Sequence, residues 1–94
     1  MVIRTLQKFE EEFEEITNSL FRLSYRINND FQKLFIQKLQ NIKIFPEMYP
    51  RLLHKPIYRK ILIKNYILLY MINNDEIILS RIIHQKSKYL NNQD

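Results

Sequence analysis

Four side chains in the last third of this 94-residue chain have the chemistry to move protons and offset charge: Lys60, His84, Lys86 and Tyr89. Lysine supplies a compact cation, histidine a group that exchanges a proton near neutral pH, and tyrosine a phenol that donates or accepts. Such a set can act on an RNA phosphodiester without a metal. RNA carries its own 2′-hydroxyl nucleophile and needs only a proton acceptor, a proton donor and cations around the phosphate. Arg81 adds a guanidinium to the same stretch. Each residue also has a structural reading, since a His at a strand end is commonly a surface residue and a Tyr commonly packs its ring on apolar neighbours. Residue types alone leave both readings open.

Other chemistries are disfavoured. The two histidines, His54 and His84, are far apart, and the main carboxylate cluster, Glu10, Glu11, Glu12, Glu14 and Glu15, belongs to the outside of a helix, so no metal site is expected. Cysteine and glycine are both absent. That removes disulfides, thiolate catalysis and glycine-rich phosphate loops, and no cofactor is expected. Ser19, Ser24, Ser80 and Ser87 lie in no recognised nucleophile context. The first eight residues lack the apolar core of a signal peptide, and no apolar run approaches the roughly 20 residues needed to cross a bilayer, so a cytoplasmic protein without membrane attachment is expected.

Charge is unevenly placed. The formal net charge is +5, yet residues 1–30 hold four Lys/Arg against six Asp/Glu, whereas residues 31–94 hold 11 against 4. Five of those cations, Arg51, Lys55, Arg59, Lys60 and Lys64, follow one another with no acid between them. A field of this kind suits a polyanion or an acidic protein, or merely a solubilising surface.

Three strands and two helices must position these residues. Leu6, Phe9, Phe13, Ile16, Leu20 and Leu23 are spaced alternately three and four apart, the stripe of an amphipathic helix, with Thr5 as its expected N-cap and Glu10, Glu11 and Glu12 favouring its positive end. Phe31, Leu34, Phe35, Leu39, Ile42 and Phe45 form a second stripe, expected to be capped by Asn29 or Asp30 and ended by Pro46. After Pro46 β-branched and aromatic residues take over, and Tyr58–Lys64, Tyr66–Ile72 and Glu76–Ile83 read as strands, the middle one central. Asn28-Asn29-Asp30, Asn65 and Asn73-Asn74-Asp75 read as the turns, because Asn tolerates left-handed backbone. Val2–Thr5 is a candidate edge strand, and 46–56, holding all three prolines, a stiff loop with a short strand near Leu52. The expected architecture is one α+β domain, β-α-α-β-β-β, in which a helical hairpin covers one face of a mainly antiparallel sheet and leaves a more polar face free.

The succession of helical hairpin, Phe45-Pro46-Glu47-Met48-Tyr49-Pro50-Arg51, Tyr58-Arg59-Lys60-Ile61-Leu62, Asn65-Tyr66-Ile67-Leu68-Leu69-Tyr70 and Arg81-Ile82-Ile83-His84 resembles, over nearly the whole chain, the RelE/ParE superfamily of type II toxin–antitoxin toxins. The resemblance implies growth arrest, a neutralising antitoxin partner, which the basic balance of residues 31–94 leads us to expect to be acidic, and one of two targets. RelE-like members cut mRNA at the ribosome with basic and aromatic residues on the exposed sheet face; ParE-like members lack that set and inhibit DNA gyrase. Lys60, His84, Lys86 and Tyr89 would be the catalytic set of a ribonuclease, and Arg59, Lys64 and Arg81 the cations that meet a target. RelE-like nucleases usually place an Arg after the Tyr that opens the central strand. Here that position is Ile67, which can neither hold a phosphate nor stabilise developing charge, so the resemblance leans toward ParE.

Overall fold

The first apolar stripe becomes α1, Gln7–Leu23, and the second α2, Tyr25–Ile44. The computed structural model describes residues 1–91, and the two helices lie as a hairpin on one face of a four-stranded sheet. Phe9 and Ile16 from α1 meet Phe31, Phe35 and Ile42 from α2, all buried. The Phe13 ring stands between them, 4.7 Å from Phe35 and 6.1 Å from Phe31. Leu23 and Phe45, at the ends of the stripes, are exposed instead.

Two helix caps differ from expectation. Leu6, not Thr5, is the N-cap of α1, while the Thr5 hydroxyl donates to the Glu10 carboxylate at 2.7 Å. The second helix begins well before Asn29, because Ser24 does two jobs. In extended conformation it ends α1 through its N–H to the Leu20 carbonyl, and its Oγ accepts from the amides of Arg26 (3.1 Å) and Ile27 (3.4 Å). A serine that caps the following helix leaves Asn28-Asn29-Asp30 inside α2 rather than in a turn.

The strands are β1 (Val2–Thr5), β2 (Arg59–Ile63), β3 (Tyr66–Asn73) and β4 (Glu76–His84), in the order β1-β4-β3-β2. Only β1 and β4 pair in parallel. The hairpin turns place Lys64 at φ 56° and Asn74 at φ 55°. Asparagine adopts this conformation readily; for lysine it costs roughly 1–2 kcal/mol. In β4 the pairing passes from Leu69↔Arg81 to Tyr70↔Leu79, leaving Ser80 as a bulge. The extra residue lets Leu79 and Ile82 both face the helices, while Arg81 and Ile83 turn to the far side of the sheet.

The loop after α2 is fixed by groups from the sheet. Tyr70 Oη donates to the Pro46 carbonyl at 2.6 Å, and Arg59 Nη1 donates to the carbonyls of Tyr49 (2.7 Å) and Glu47 (3.1 Å). Burial pushes the Tyr70 phenol up to about 12, against its ordinary 10.0. A folded value above the unfolded one favours the neutral phenol in the native state. Its stabilisation is complete below pH 10 and is lost as pH rises toward about 12. Urea unfolding between pH 9 and 12 should show this step, worth about 2 kcal/mol, and Tyr70→Phe should abolish it. An identical alkaline profile in both proteins would show that Tyr70 does not carry the effect.

Candidate functional site

The sheet face opposite the helices is not free. Residues 50–58 fold back along β2 through Leu52 N–H to the Tyr58 carbonyl (2.9 Å) and Lys60 N–H to the Pro50 carbonyl (3.0 Å), and the short strand expected near Leu52 reduces to a single bridge between Arg51 and Arg59. Leu52 is thereby buried against Leu69 and Ile83, with Tyr58, Ile67 and Tyr89 around them. The cause is apolar surface on both sides of β3 and β4, which a bare face would leave in water.

Polar groups survive at the margin of this second cluster. Lys60 stands opposite Leu69, which stands opposite Arg81, so both cations belong to this face on either side of a buried leucine. Tyr89, from the short α3 (Lys88–Asn91), meets Lys55 Nζ 3.6 Å from its ring centre and the Arg81 guanidinium at 4.9 Å. Two cations on one ring orient it and hold the C-terminal helix to the sheet.

Arg81 is committed elsewhere as well. Its Nε donates to Glu12 Oε1 (2.9 Å) and its Nη2 to Glu12 Oε2 (2.7 Å), a two-pronged pair that raises the Arg81 pKa. The same Glu12 Oε1 accepts the Ile82 amide at 3.1 Å. Beyond Leu79, where β1 has ended, Glu12 therefore stands in for the missing neighbour strand. Sequence reasoning placed Glu12 with the helix-dipole glutamates and missed this role. The signal was its spacing: with Phe9, Phe13 and Ile16 it falls at i, i+3, i+4 and i+7, on the stripe that faces the sheet.

His84 lies on the other side. It pairs with Tyr66, whose ring it meets edge-on at 5.6 Å, and Tyr66 in turn packs on Phe31 beneath the helices. Its Nδ1 accepts the Lys86 amide at 3.1 Å, which leaves the proton of the neutral ring on Nε2. A cleft of about 460 Å³ between α1 and β4 runs along the sheet edge there, and Glu12, Glu15, Ser19, Tyr66, Arg81 and His84 line it together. Lys86 is exposed in the turn after β4, and Lys64 is exposed in the turn after β2. Of the proposed catalytic set, Lys60 and Tyr89 thus share one face and His84 the other. Of the target-binding cations, Arg59 is bound to two loop carbonyls, Arg81 to a carboxylate, and Lys64 projects from a turn.

Among the described residues no group of three or more His, Asp or Glu could hold a metal ion, and no helix is long and apolar enough to cross a membrane. No curated protein sequence matches the chain. Among solved structures it is similar to the chromosomal ParDE toxin–antitoxin system from P. aeruginosa, with a TM-score of 0.73 at 12% identity over 89% of this chain and 95% of that one. It is also similar to the RelB-RelE antitoxin-toxin complex from Methanococcus jannaschii, with a TM-score of 0.59 at 24% identity over 92% and 94%. These likenesses are of fold. The family described as the ParE toxin of the type II toxin-antitoxin system parDE matches residues 3–89. That match spans β1 through the start of α3, and the chain belongs to the ParE toxin family of type II toxin–antitoxin systems.

Proposed function

We propose that this chain is the growth-arresting toxin of a type II module, that its target is DNA gyrase, and that an acidic antitoxin neutralises it in the cytoplasm. Ile67 carries the choice of target. It occupies the position where a RelE-like nuclease usually has arginine, and it is packed with Leu52, Leu69 and Ile83 rather than presented to a substrate. Lys60 and His84 project from opposite sides of the sheet, which supports the same reading, since a general acid and base must reach one phosphodiester together. The antitoxin is supported by the similar structures, which are toxin–antitoxin systems, and by the basic balance of residues 31–94.

A second reading has one observation in its favour. Lys60, Lys55, Arg81 and Tyr89 form a basic and aromatic margin of the kind that binds single-stranded nucleic acid, which suits a ribosome-dependent endoribonuclease or a plain nucleic-acid-binding module. Controlled expression in a bacterium, with protein synthesis and nucleoid morphology followed together, separates these. Filamentation and DNA damage with translation intact is the expected outcome. Rapid loss of translation with cut transcripts would overturn the gyrase reading and direct attention to Lys60, His84, Lys86 and Tyr89. The Ile67→Arg variant should cause no transcript cleavage; a gain of ribosome-dependent cutting would mark the chain as a decayed nuclease.

A further inference from the structure

This fold sets two arginines side by side. Arg51 and Arg59 face each other in the bridge between the returning loop and β2, so their side chains leave the sheet on one side, that of Tyr70 rather than of Lys60. Like charges directly opposite are unfavourable, and a local conflict that a fold retains points to use. Both arginines line a cavity of about 280 Å³, whose wall is completed by Glu47, Pro56, Ile57 and Ile72. Arg59 is fixed there. Its Nη1 donates to the carbonyls of Glu47 and Tyr49, which spends both hydrogens of that nitrogen and leaves the Nε–Nη2 edge without a partner among the described residues. That edge is the fork that grips an oxyanion with two parallel bonds. Arg51 is exposed, and neither guanidinium is paired with a carboxylate among the described residues.

We propose that the Arg51–Arg59 cavity is a phosphate-binding site that grips the backbone of duplex DNA. The inference deepens the gyrase reading, on which its choice of DNA rests, by putting the toxin in contact with the DNA that the enzyme holds. Arg59 supplies a preset fork for one phosphate, and Arg51 a second, adjustable cation. Glu47 in the wall offsets one of the two charges and leaves the cavity positive. A lone carboxylate is saturated by one fork, whereas two arginines on one cavity suit an anion that continues on either side, as a phosphodiester chain does. Residues 48–74 contain no acid, so a polyanion running past the cavity meets cations and no repulsion. Pro56 and Ile57, the latter 66% exposed, give the cavity an apolar side against which a sugar can rest. Contacts of this kind fix the position of a backbone and read no base sequence. The site is separate from the margin formed by Lys55, Arg81 and Tyr89, which belongs to the other face of the sheet.

The test measures binding of the full chain to a labelled DNA duplex of about 20 base pairs by fluorescence anisotropy, at several salt concentrations from about 50 mM upward. Arg51→Gln breaks no hydrogen bond among the described residues and should weaken binding by about fivefold or more at the lowest salt, with the slope of log K against log salt reduced in magnitude by about 0.9. Arg59→Lys keeps the charge but loses the fork, and should weaken binding by a similar factor; where it unfolds the chain, Arg51→Gln decides. Lys33→Gln removes an exposed cation of α2 and should change the affinity less than about twofold. Glu47→Gln, which removes the negative charge of the wall, should strengthen binding. Equal losses for Arg51→Gln and Lys33→Gln would mean attraction by net charge alone and overturn the site. Absence of DNA binding at low salt overturns it too, and so does binding of inorganic phosphate without binding of the duplex, which would make the cavity a site for a free anion. The measurement contains no gyrase, so these failures leave the gyrase reading standing, and its own failure on expression in a bacterium would leave a measured DNA affinity intact.

Discussion

Replacing Glu12 with alanine should destabilise this protein by about 2–3 kcal/mol, because one side chain satisfies three donors at once. Both side chains of the pair are mostly withdrawn from water, Glu12 at 15% and Arg81 at 25% exposure, so the loss exceeds that of a surface pair. The Ile82 amide loses its acceptor as well, and the strand edge beyond Leu79 is left bare. For a domain of this size the change corresponds to a fall of about 8–20 °C in Tm. Glu12→Gln keeps an oxygen for one donor and should recover part of the loss. Arg81→Met removes the cation instead, and thermal unfolding of the two single variants and the double variant gives the coupling directly. A coupling indistinguishable from zero would mean that the pair is incidental to the fold.

Phe31→Ala should cost more, about 3–5 kcal/mol. Phe31 is 1% exposed and joins three elements: its ring meets Phe13 of α1 at 6.1 Å and Tyr66 of β3 at 5.5 Å, while its own backbone belongs to α2. Its removal leaves a cavity where helical hairpin and sheet meet. Against a total stability of about 5–15 kcal/mol for an ordinary domain, such a loss places the variant near the limit of folding. Phe31→Leu should retain roughly half of the stability lost by the alanine variant, and urea midpoints measure both. A loss under about 1 kcal/mol for Phe31→Ala would show that the hairpin repacks freely over the sheet.

The periodic parts of the chain were legible in advance. Apolar residues at helical spacing gave both helices, and the switch to β-branched and aromatic residues after Pro46 gave three strands within about a residue of their ends, since burial of one face or two leaves a mark at every position. Three features were not legible because they depend on pairing across long distances in the chain. Ser24 was one of several polar residues near the hairpin, and only the fold shows that it caps α2 in place of Asn29 or Asp30. The far face looked free because the short strand expected near Leu52 could not be assigned to it; which surface Leu52 covers depends on the return of residues 50–58 along β2. The candidate site suffered most. Lys60, His84 and Tyr89 are neighbours in a list of reactive residue types, but Lys60 is placed by the pleat of β2, Tyr89 by the return of α3 and His84 by the bulge at Ser80, which no local pattern marked. Ile67 was readable because its environment, an apolar strand, is written in its neighbours.

The parallel pairing of β1 with β4 sets the order in which this protein can be made. Val2 lies opposite Glu76 and Thr5 opposite Leu79, so the first strand to leave the ribosome waits for the last. Until residues 76–79 have emerged, β1 has no partner and β3 lacks one of its two neighbours, while the helical hairpin, built from local contacts, is free to form early. With synthesis running at about 5–20 residues per second, β1 waits several seconds for β4 to be made. A nascent chain of this protein therefore carries an incomplete sheet until β4 has emerged, and interruption before β4 yields helices without a finished sheet.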